Sequence, residues 1–130
     1  MRKEFAELIH KEMEKNENIY FLTSDLGFGV WNDVLRDFPK RAFVLGASEQ
    51  AMLDMAVGLA YEGKIPICYS IPTFLIYRPF ETLRTYIDHE RLPVKLVGSG
   101  RDKDYSHDGF SHDNSDIRPF LDLLLNIEQY

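Results

Sequence analysis

Residues 46–60, GASEQAMLDMAVGLA, decide the fold of this chain. They follow a short apolar run, residues 42–45, which predicts a buried strand. Gly46 permits a sharp turn, Ser48 can cap a helix, and apolar side chains then recur at helical spacing. Glu49 therefore falls in the first turn of a helix that begins at the carboxyl end of a strand. That edge is where open α/β sheets bind their ligands.

Short apolar runs and amphipathic segments alternate along the rest of the chain. Strands are predicted at residues 19–23, 42–45, 65–69 and 92–97, and residues 126–130 could add a last one. Helices are predicted at residues 2–15, 31–37, 48–61, 74–89 (regular from near Pro79) and 116–125, with loops at 70–73 and 101–115. Without linkers or repeats, this alternation predicts one α/β domain over residues 1–130, a three-layer sandwich with a mainly parallel sheet.

The composition narrows the classes of function. Of the 130 residues, 45% are hydrophobic and 28% charged, as in ordinary globular domains, and the net charge is −6. Negative charge without a basic stripe argues against nucleic acids and anionic membranes as partners. No apolar run is long enough to span a membrane, and no signal-peptide core is present. The single cysteine, Cys68, lies in an apolar run and is expected to be a buried thiol, so we expect a cytoplasmic protein.

A parallel sheet would bring four segments together at its carboxyl edge. They are Asp25 with the glycines after it, Glu49, the segment 69–78 and the polar loop 98–116. The glycines after Asp25 are a weak phosphate-loop signal, because G-x-G alone is common and no lysine follows. The long loop is a candidate functional segment, since loops of that length are uncommon in compact domains.

Plainer explanations exist for the same residues. Glu49 could be only structural, because the helix dipole favours a carboxylate in the first turn. The polar loop could be a solvated connection, or it could hold a metal through His107, Asp108, His112, Asp113 and Asp116. We favour no metal site, since the loop offers no helical H-x-x-x-H spacing that would fix ligands on a rigid element.

Several motifs, in the right order, resemble the pyrimidine-binding domain of the transketolase superfamily. GASEQAMLDMAVGLA is similar to G-x-x-E-Q-x-M-x-x-x-A-x-G-L-A of that family. YSIPTFLIYR (69–78) is similar, with small insertions, to Y-S-T-F-L-x-R of deoxyxylulose-phosphate synthase, and DGFSH (108–112) is similar to D-G-x-T-H. The resemblance spans about residues 19 to 117 and includes Phe38-Pro39-x-Arg41 and Leu92-Pro93-Val94.

The resemblance implies thiamine diphosphate as cofactor and assigns roles to single residues. Glu49 would bond the aminopyrimidine ring and would need to hold a proton at neutral pH, which a dry pocket favours by raising its pKa. Phe74 would stack on that ring, with Tyr77 as the second choice, and Asp25 would stand with them at the edge. His112 would be the second catalytic residue, facing the substrate's oxygens. Substrate-binding residues would be Arg78, Arg101, Asp108 and His112.

Two departures from the family pattern bear on substrate and assembly. Gly100 stands where transketolases commonly carry a histidine, with Arg101 beside it, as an arginine stands in the synthase branch. The chain also lacks the G-D-G…N motif that holds Mg2+ and the diphosphate. The resemblance therefore implies half of a split transketolase-like transferase, acting on sugars or sugar phosphates with a partner chain, in a homodimer or hetero-oligomer. A non-catalytic assembly module, or an unrelated flavodoxin-like phosphate or metal binder, are the alternatives.

Overall fold

A computed structural model describes residues 2–100 and 103–130. Helices and strands alternate from the first helix onward. The helices are α1 (Arg2–Lys15), α2 (Asn32–Asp37), α3 (Glu49–Tyr61), α4 (Pro72–Tyr77), α5 (Phe80–Thr82, continuing as a π-helix over Leu83–His89) and α6 (Arg118–Leu121). The strands are β1 (Ile19–Thr23), β2 (Ala42–Val44), β3 (Ile65–Ser70) and β4 (Lys95–Gly98).

The sheet is parallel throughout its described strands, which run in the order β2-β1-β3-β4. In register, Leu22 pairs with Cys68, and Thr23 pairs with Tyr69 at the carboxyl ends of β1 and β3. Because all these strands point the same way, the segments that follow them emerge along one edge. The predicted parallel sheet is confirmed, and so is the expectation that its carboxyl edge gathers the loops.

Helices cover both faces of the sheet and give it three layers. Leu22 and Cys68 pack on one face with α3 and the π-helix, in a cluster that includes Met52 and Leu83. On the other face, Phe21 of β1 and Ile67 and Tyr69 of β3 pack with α1 and α2. Alternation along each strand accounts for this division, since successive side chains point to opposite faces. The predicted three-layer sandwich is confirmed.

Cys68 lies at the centre of β3 and is fully buried. Burial raises the pKa of its thiol to about 12, because the thiolate would lose its hydration there. The thiol is therefore protonated and unreactive at neutral pH, and the expected core cysteine is confirmed.

No helix in the described ranges is long and apolar enough to cross a membrane.

The predicted loop at residues 70–73 is wrong, and residues 74–89 are not one helix, although the expected helix start near Pro79 is confirmed. Ser70 belongs to β3, and α4 begins at Pro72, a first-turn position where the missing amide costs no hydrogen bond. Pro79 then interrupts the helix, so that α5 starts anew and passes into the π-helix. As a result Arg78 stands at the junction of two helices.

Near the carboxyl terminus, the structure has a shorter helix and less strand than the sequence predicts. The last helix is Arg118–Leu121 rather than 116–125, and Ile117 occupies the capping position expected for Asn114 or Ser115. Residues 126–130 form no strand in the described chain, because the Asn126 amide donates to Asp88 on the π-helix (2.6 Å) instead of to β4. Strand β4 starts at Lys95 and not at residue 92, since Pro93 has no amide to pair.

Candidate active site

The carboxyl edge is joined by short hydrogen bonds between the ends of adjacent strands. The Ser24 amide donates to the carbonyl of Tyr69, and the Ser99 amide donates to the carbonyl of Ser70 (3.3 and 2.8 Å). Both serines are buried, with 3% and 4% of their surface exposed. The residues directly after β1 and β4 are therefore fixed against β3 at the floor of the site.

Glu49 is the first residue of α3, directly after the turn made by Gly46 at φ 70°. A positive φ of this size favours glycine, so the turn depends on Gly46. Ser48 holds the N-cap position as predicted, although its side chain makes no capping hydrogen bond with a described amide. The turn directs Glu49 inward, and only 2% of its side chain is exposed.

The two carboxylate oxygens of Glu49 are held by different partners. Ser70 donates its hydroxyl to Oε1 (2.8 Å) and also bonds the hydroxyl of Ser24 (2.7 Å). Arg78 donates to Oε2. The sequence analysis assigned no role to Ser24 or Ser70. The register of β1 and β3, which pairs Thr23 with Tyr69, places the next residues of the two strands side by side.

The charge state of Glu49 in the free domain is set by burial and by its hydrogen-bond partners. Burial alone would raise the pKa of Glu49, but the hydrogen bonds from Arg78 and Ser70 outweigh it and hold the pKa below the ordinary value of 4.5. Glu49 is therefore ionised at neutral pH in the free domain. The expectation that Glu49 holds a proton concerns the cofactor-bound state and stays a prediction, whereas in the free domain the Arg78 cation lies on the carboxylate.

Phe74 contacts both the arginine and the histidine of the site. The guanidinium carbon of Arg78 lies 3.9 Å from the centre of the Phe74 ring, a cation–π contact. The ring centres of Phe74 and His112 are 4.9 Å apart, with their planes at 79°. The structure therefore links Glu49, Arg78, Phe74 and His112 in one chain of contacts, as the convergence at the carboxyl edge predicted.

His112 is presented by the polar loop. Gly109 has a φ of 90°, which favours glycine in this D-G-x-S-H segment, and the His112 amide donates to its carbonyl (3.0 Å). Ser111 Oγ lies 3.0 Å from His112 Nδ1. Tyr105 lies farther out, with its ring centre 6.4 Å from that of His112.

Tyr105 also explains the glycine at position 100. A Cβ atom on Gly100 would overlap the Tyr105 ring, and the Tyr105 hydroxyl is bonded to Ser99 Oγ (3.1 Å) and to Arg2. A histidine could not stand at this position without displacing the tyrosine. The aromatic ring occupies space that a larger residue at position 100 would need.

The remaining predicted residues are placed less centrally. The hydroxyl of Tyr77 donates to Asp116 (2.6 Å) and its ring packs on Phe120, so it faces the carboxyl-terminal segment. Burial and the bond to Asp116 raise the pKa of Tyr77 to about 12. The Asp108 side chain is half-exposed, and its Oδ2 lies 3.3 Å from Nε2 of His107.

Asp25 is exposed directly after Ser24, at the same edge of the sheet as Glu49. Arg101 lies outside the described residues. Among residues 2–100 and 103–130, no group of three or more His, Cys, Asp or Glu side chains could hold a metal ion.

The comparison with protein families agrees with this geometry. The model of the family described as transketolase, pyrimidine binding domain, matches residues 1–128. The chain belongs to this family. The open alternative of an unrelated flavodoxin-like protein is thereby set aside.

Relatives of this pyrimidine-binding domain are longer than the chain. It is 34% identical over 113 residues to a "Putative transketolase C-terminal section" of Methanocaldococcus jannaschii, covering 86% of this chain and 36% of that protein. It is 35% identical over 94 residues to 1-deoxy-D-xylulose-5-phosphate synthase 1, chloroplastic, of Oryza sativa subsp. japonica, covering 72% of this chain and 13% of the synthase. The chain therefore spans about a third or less of these proteins.

A solved structure shares both fold and sequence with the domain. It is described as a split gene transketolase, inactive beta4 tetramer, and it matches with a TM-score of 0.65 and 30% identity. The match covers 72% of this chain and 32% of that one.

The site residues fit the pyrimidine half of thiamine diphosphate. An aminopyrimidine needs a carboxylate for a ring nitrogen and an aromatic face for stacking, and Glu49 and Phe74 supply both. The guanidinium of Arg78, itself flat and rich in N–H donors, makes those two contacts in the free domain. A flat nitrogenous group is thus accommodated between this carboxylate and this ring.

Proposed function

We propose that this domain is the pyrimidine-binding subunit of a split, thiamine diphosphate-dependent, transketolase-like transferase that moves a two-carbon ketol unit between sugars or sugar phosphates. The observation that carries the proposal is the buried carboxylate of Glu49 at the carboxyl edge, held by Ser70 and adjoining Phe74 through Arg78. The similarity to a transketolase section and to a split gene transketolase supports placing the other half of the site on a separate chain.

Thiamine diphosphate, when bound, supplies an electron sink for making and breaking a carbon–carbon bond beside a carbonyl. Glu49 would bind the pyrimidine ring through Oε2 and hold a proton at that atom, while Ser70 keeps Oε1 in place. Once Arg78 leaves, its hydrogen bond and charge no longer lower the pKa of Glu49, and burial, which favours the protonated form, is opposed only by the bonds from Ser70 and the Glu49 backbone. Phe74 would support the ring by stacking, with Asp25 at the same edge and Tyr77 as the second aromatic.

The polar loop would bind the substrate. His112 would exchange a proton with a substrate oxygen through Nε2, since Nδ1 faces Ser111 Oγ. Arg101 and Asp108 belong to the same loop and would bind the hydroxyl or phosphate groups of a sugar. Arg78, when it is not on Glu49, would be a further cation available to an anionic substrate.

A partner chain would complete the site. The sequence has no G-D-G…N motif, so Mg2+ and the diphosphate would be held by a chain that carries it. We expect a homodimer in isolation and a hetero-oligomer with that partner. Phe28 and Phe110, which are 90% and 85% exposed on the loops after β1 and β4, are apolar surface that such assembly could cover.

The test is reconstitution with Glu49→Gln. The purified chain is mixed with a diphosphate-domain partner, thiamine diphosphate and Mg2+, and ketol transfer from a ketose donor is followed. We expect the variant to fold, by circular dichroism, and to lose activity by about 100-fold or more, because an amide cannot take over the proton held by a carboxyl group. Glu12→Gln, at an exposed carboxylate paired with Lys15, is the matched control and should turn over like the wild type. Normal turnover by Glu49→Gln would remove this residue from the mechanism.

The alternative is a non-catalytic binding or assembly module. The observation in its favour is the pairing of Arg78 with Glu49, which occupies the carboxylate that catalysis requires. The same reconstitution separates the two functions. A wild-type chain that forms a stable complex with the partner and the cofactor, but gives no transfer with any ketose tested, would favour the module over the enzyme.

A further inference from the structure

Arg78 and Glu49 form an ion pair between an exposed residue and a buried one. The Arg78 side chain is 42% exposed, whereas that of Glu49 is 2% exposed. Ser70 and, behind it, Ser24 hold the glutamate from below, and these two hydroxyls are themselves buried. Among the described residues the carboxylate therefore has two side-chain partners, Ser70 and Arg78. Ser70 is buried, whereas Arg78 reaches solvent and can leave without opening the core.

The backbone at Arg78 also allows the side chain to leave alone. Arg78 follows the last residue of α4 in ordinary right-handed geometry, φ −62° and ψ −49°, and Pro79 begins the next helical segment. The long side chain reaches Glu49 from this junction across the Phe74 ring. Rotation about its own bonds is enough to take the guanidinium off the carboxylate.

The guanidinium makes the same kind of contacts that a flat nitrogen heterocycle would make. One N–H group donates a hydrogen bond to a carboxylate oxygen, and the guanidinium carbon lies over the face of an aromatic ring. A compact ammonium ion could satisfy the carboxylate but could not cover the ring, and an aromatic molecule without a hydrogen-bonding nitrogen edge could stack but would leave the carboxylate unpaired. Only a ligand that supplies both contacts replaces everything that Arg78 provides.

We propose that Arg78 is a specificity-determining residue, which fills the Glu49–Phe74 site of the free domain and yields it only to a flat ligand that makes both contacts. The inference rests on the proposed function for the identity of the natural ligand, an aminopyrimidine. It adds that binding is an exchange, in which the ligand displaces an internal competitor, so that the free domain binds more weakly than its contacts alone would dictate.

The experiment measures binding of 4-amino-5-hydroxymethyl-2-methylpyrimidine, the pyrimidine fragment of the cofactor, to the full chain by calorimetry. We expect Arg78→Gln to bind the fragment about tenfold more tightly than the wild type, because the competing ion pair and cation–π contact are gone. Arg36→Gln removes an exposed arginine that pairs with Asp33 and Asp37 on α2, and it should bind like the wild type. Methylguanidinium should compete with the fragment in Arg78→Gln, since it restores the missing group.

Equal or weaker binding by Arg78→Gln would overturn the inference, because Arg78 would then not be competing for the site. Absence of any binding by this variant would overturn it as well, whereas the proposed function would still be judged by the reconstituted Glu49→Gln assay. If Arg78→Gln does not fold, Arg78→Lys carries the test. Its ammonium group cannot stack flat on Phe74, so the lysine variant must bind the fragment more tightly than the wild type, and equal binding would again overturn the inference.

Discussion

The two halves of the carboxyl edge are built in different ways. At the strand ends, Ser24, Glu49 and Ser70 are 3%, 2% and 1% exposed and are bonded to one another. In the polar loop, two short 3-10 turns span Ser106–Asp108 and Phe110–His112. Asp108 is half-exposed, and Phe110 is 85% exposed. The first half is set by the register of the sheet, and the second half by turns that lie on its surface.

This difference matches the work that each half is proposed to do. A group that must hold a proton needs dry and fixed surroundings, because burial and hydrogen bonds set its pKa. Groups that receive a substrate need access from solvent. We therefore expect the strand-end half to depend on the integrity of the core, and the loop half to change with little effect on folding.

Matched serine substitutions test the comparison with the largest expected effect. Ser70→Ala leaves Glu49 Oε1 and the Ser24 hydroxyl without their shared partner inside the protein, so we expect the free energy of unfolding to fall by about 1–3 kcal/mol. Ser111→Ala removes the hydroxyl beside His112 on the exposed loop, and its effect should stay within about 0.5 kcal/mol. Urea unfolding measures both values. Equal losses for the two variants would show that the halves do not differ in this way.

Acid unfolding gives a smaller effect and tests the state of Glu49. Its pKa in the folded chain lies below the ordinary 4.5, so the ionised form stabilises the fold above about that pH. This contribution is lost as the pH falls through the lower, folded-state pKa. The difference in unfolding free energy between the wild type and Glu49→Gln should therefore be smaller at about pH 3 than at about pH 6.

The control for the acid experiment is Glu12→Gln, since Glu12 is exposed and paired only with Lys15 among its described ion pairs. Its difference from the wild type should change little over the same range. A gap for Glu49→Gln that widens on acidification would mean that the folded-state pKa of Glu49 lies above its value in the unfolded chain. That outcome would contradict the lowered pKa of Glu49 in the free domain.

The sheet and its two covering layers could be predicted because the signals are strong and local. The strands around Leu22 and Cys68 are short apolar runs, and α3 has a clear helical period after Gly46. The wrong predictions of secondary structure lie beside prolines and at the end of the chain. Pro72 starts a helix in a segment predicted as a loop. Residues 126–130 do not extend the described sheet, and the Asn126 amide bonds to Asp88 on the π-helix.

The sequence predicted which residues meet at the carboxyl edge, but not the hydrogen bonds that join them. Motif order brought Glu49, Phe74 and His112 to one edge, and the structure places them in one chain of contacts. Ser70 was quoted in a motif but given no role, because a hydroxyl at a strand end has many uses. The pairing of Arg78 with Glu49 could not be read from spacing, since a long side chain at a helix junction can point in several directions.

The most direct measurement is a crystal structure of the chain with its diphosphate-binding partner and thiamine diphosphate. We expect the aminopyrimidine ring on Oε2 of Glu49 and against Phe74, with Ser70 still donating to Oε1 and the guanidinium of Arg78 away from the carboxylate. A ring bound elsewhere, or Arg78 still paired with Glu49 while the cofactor is bound, would contradict this expectation.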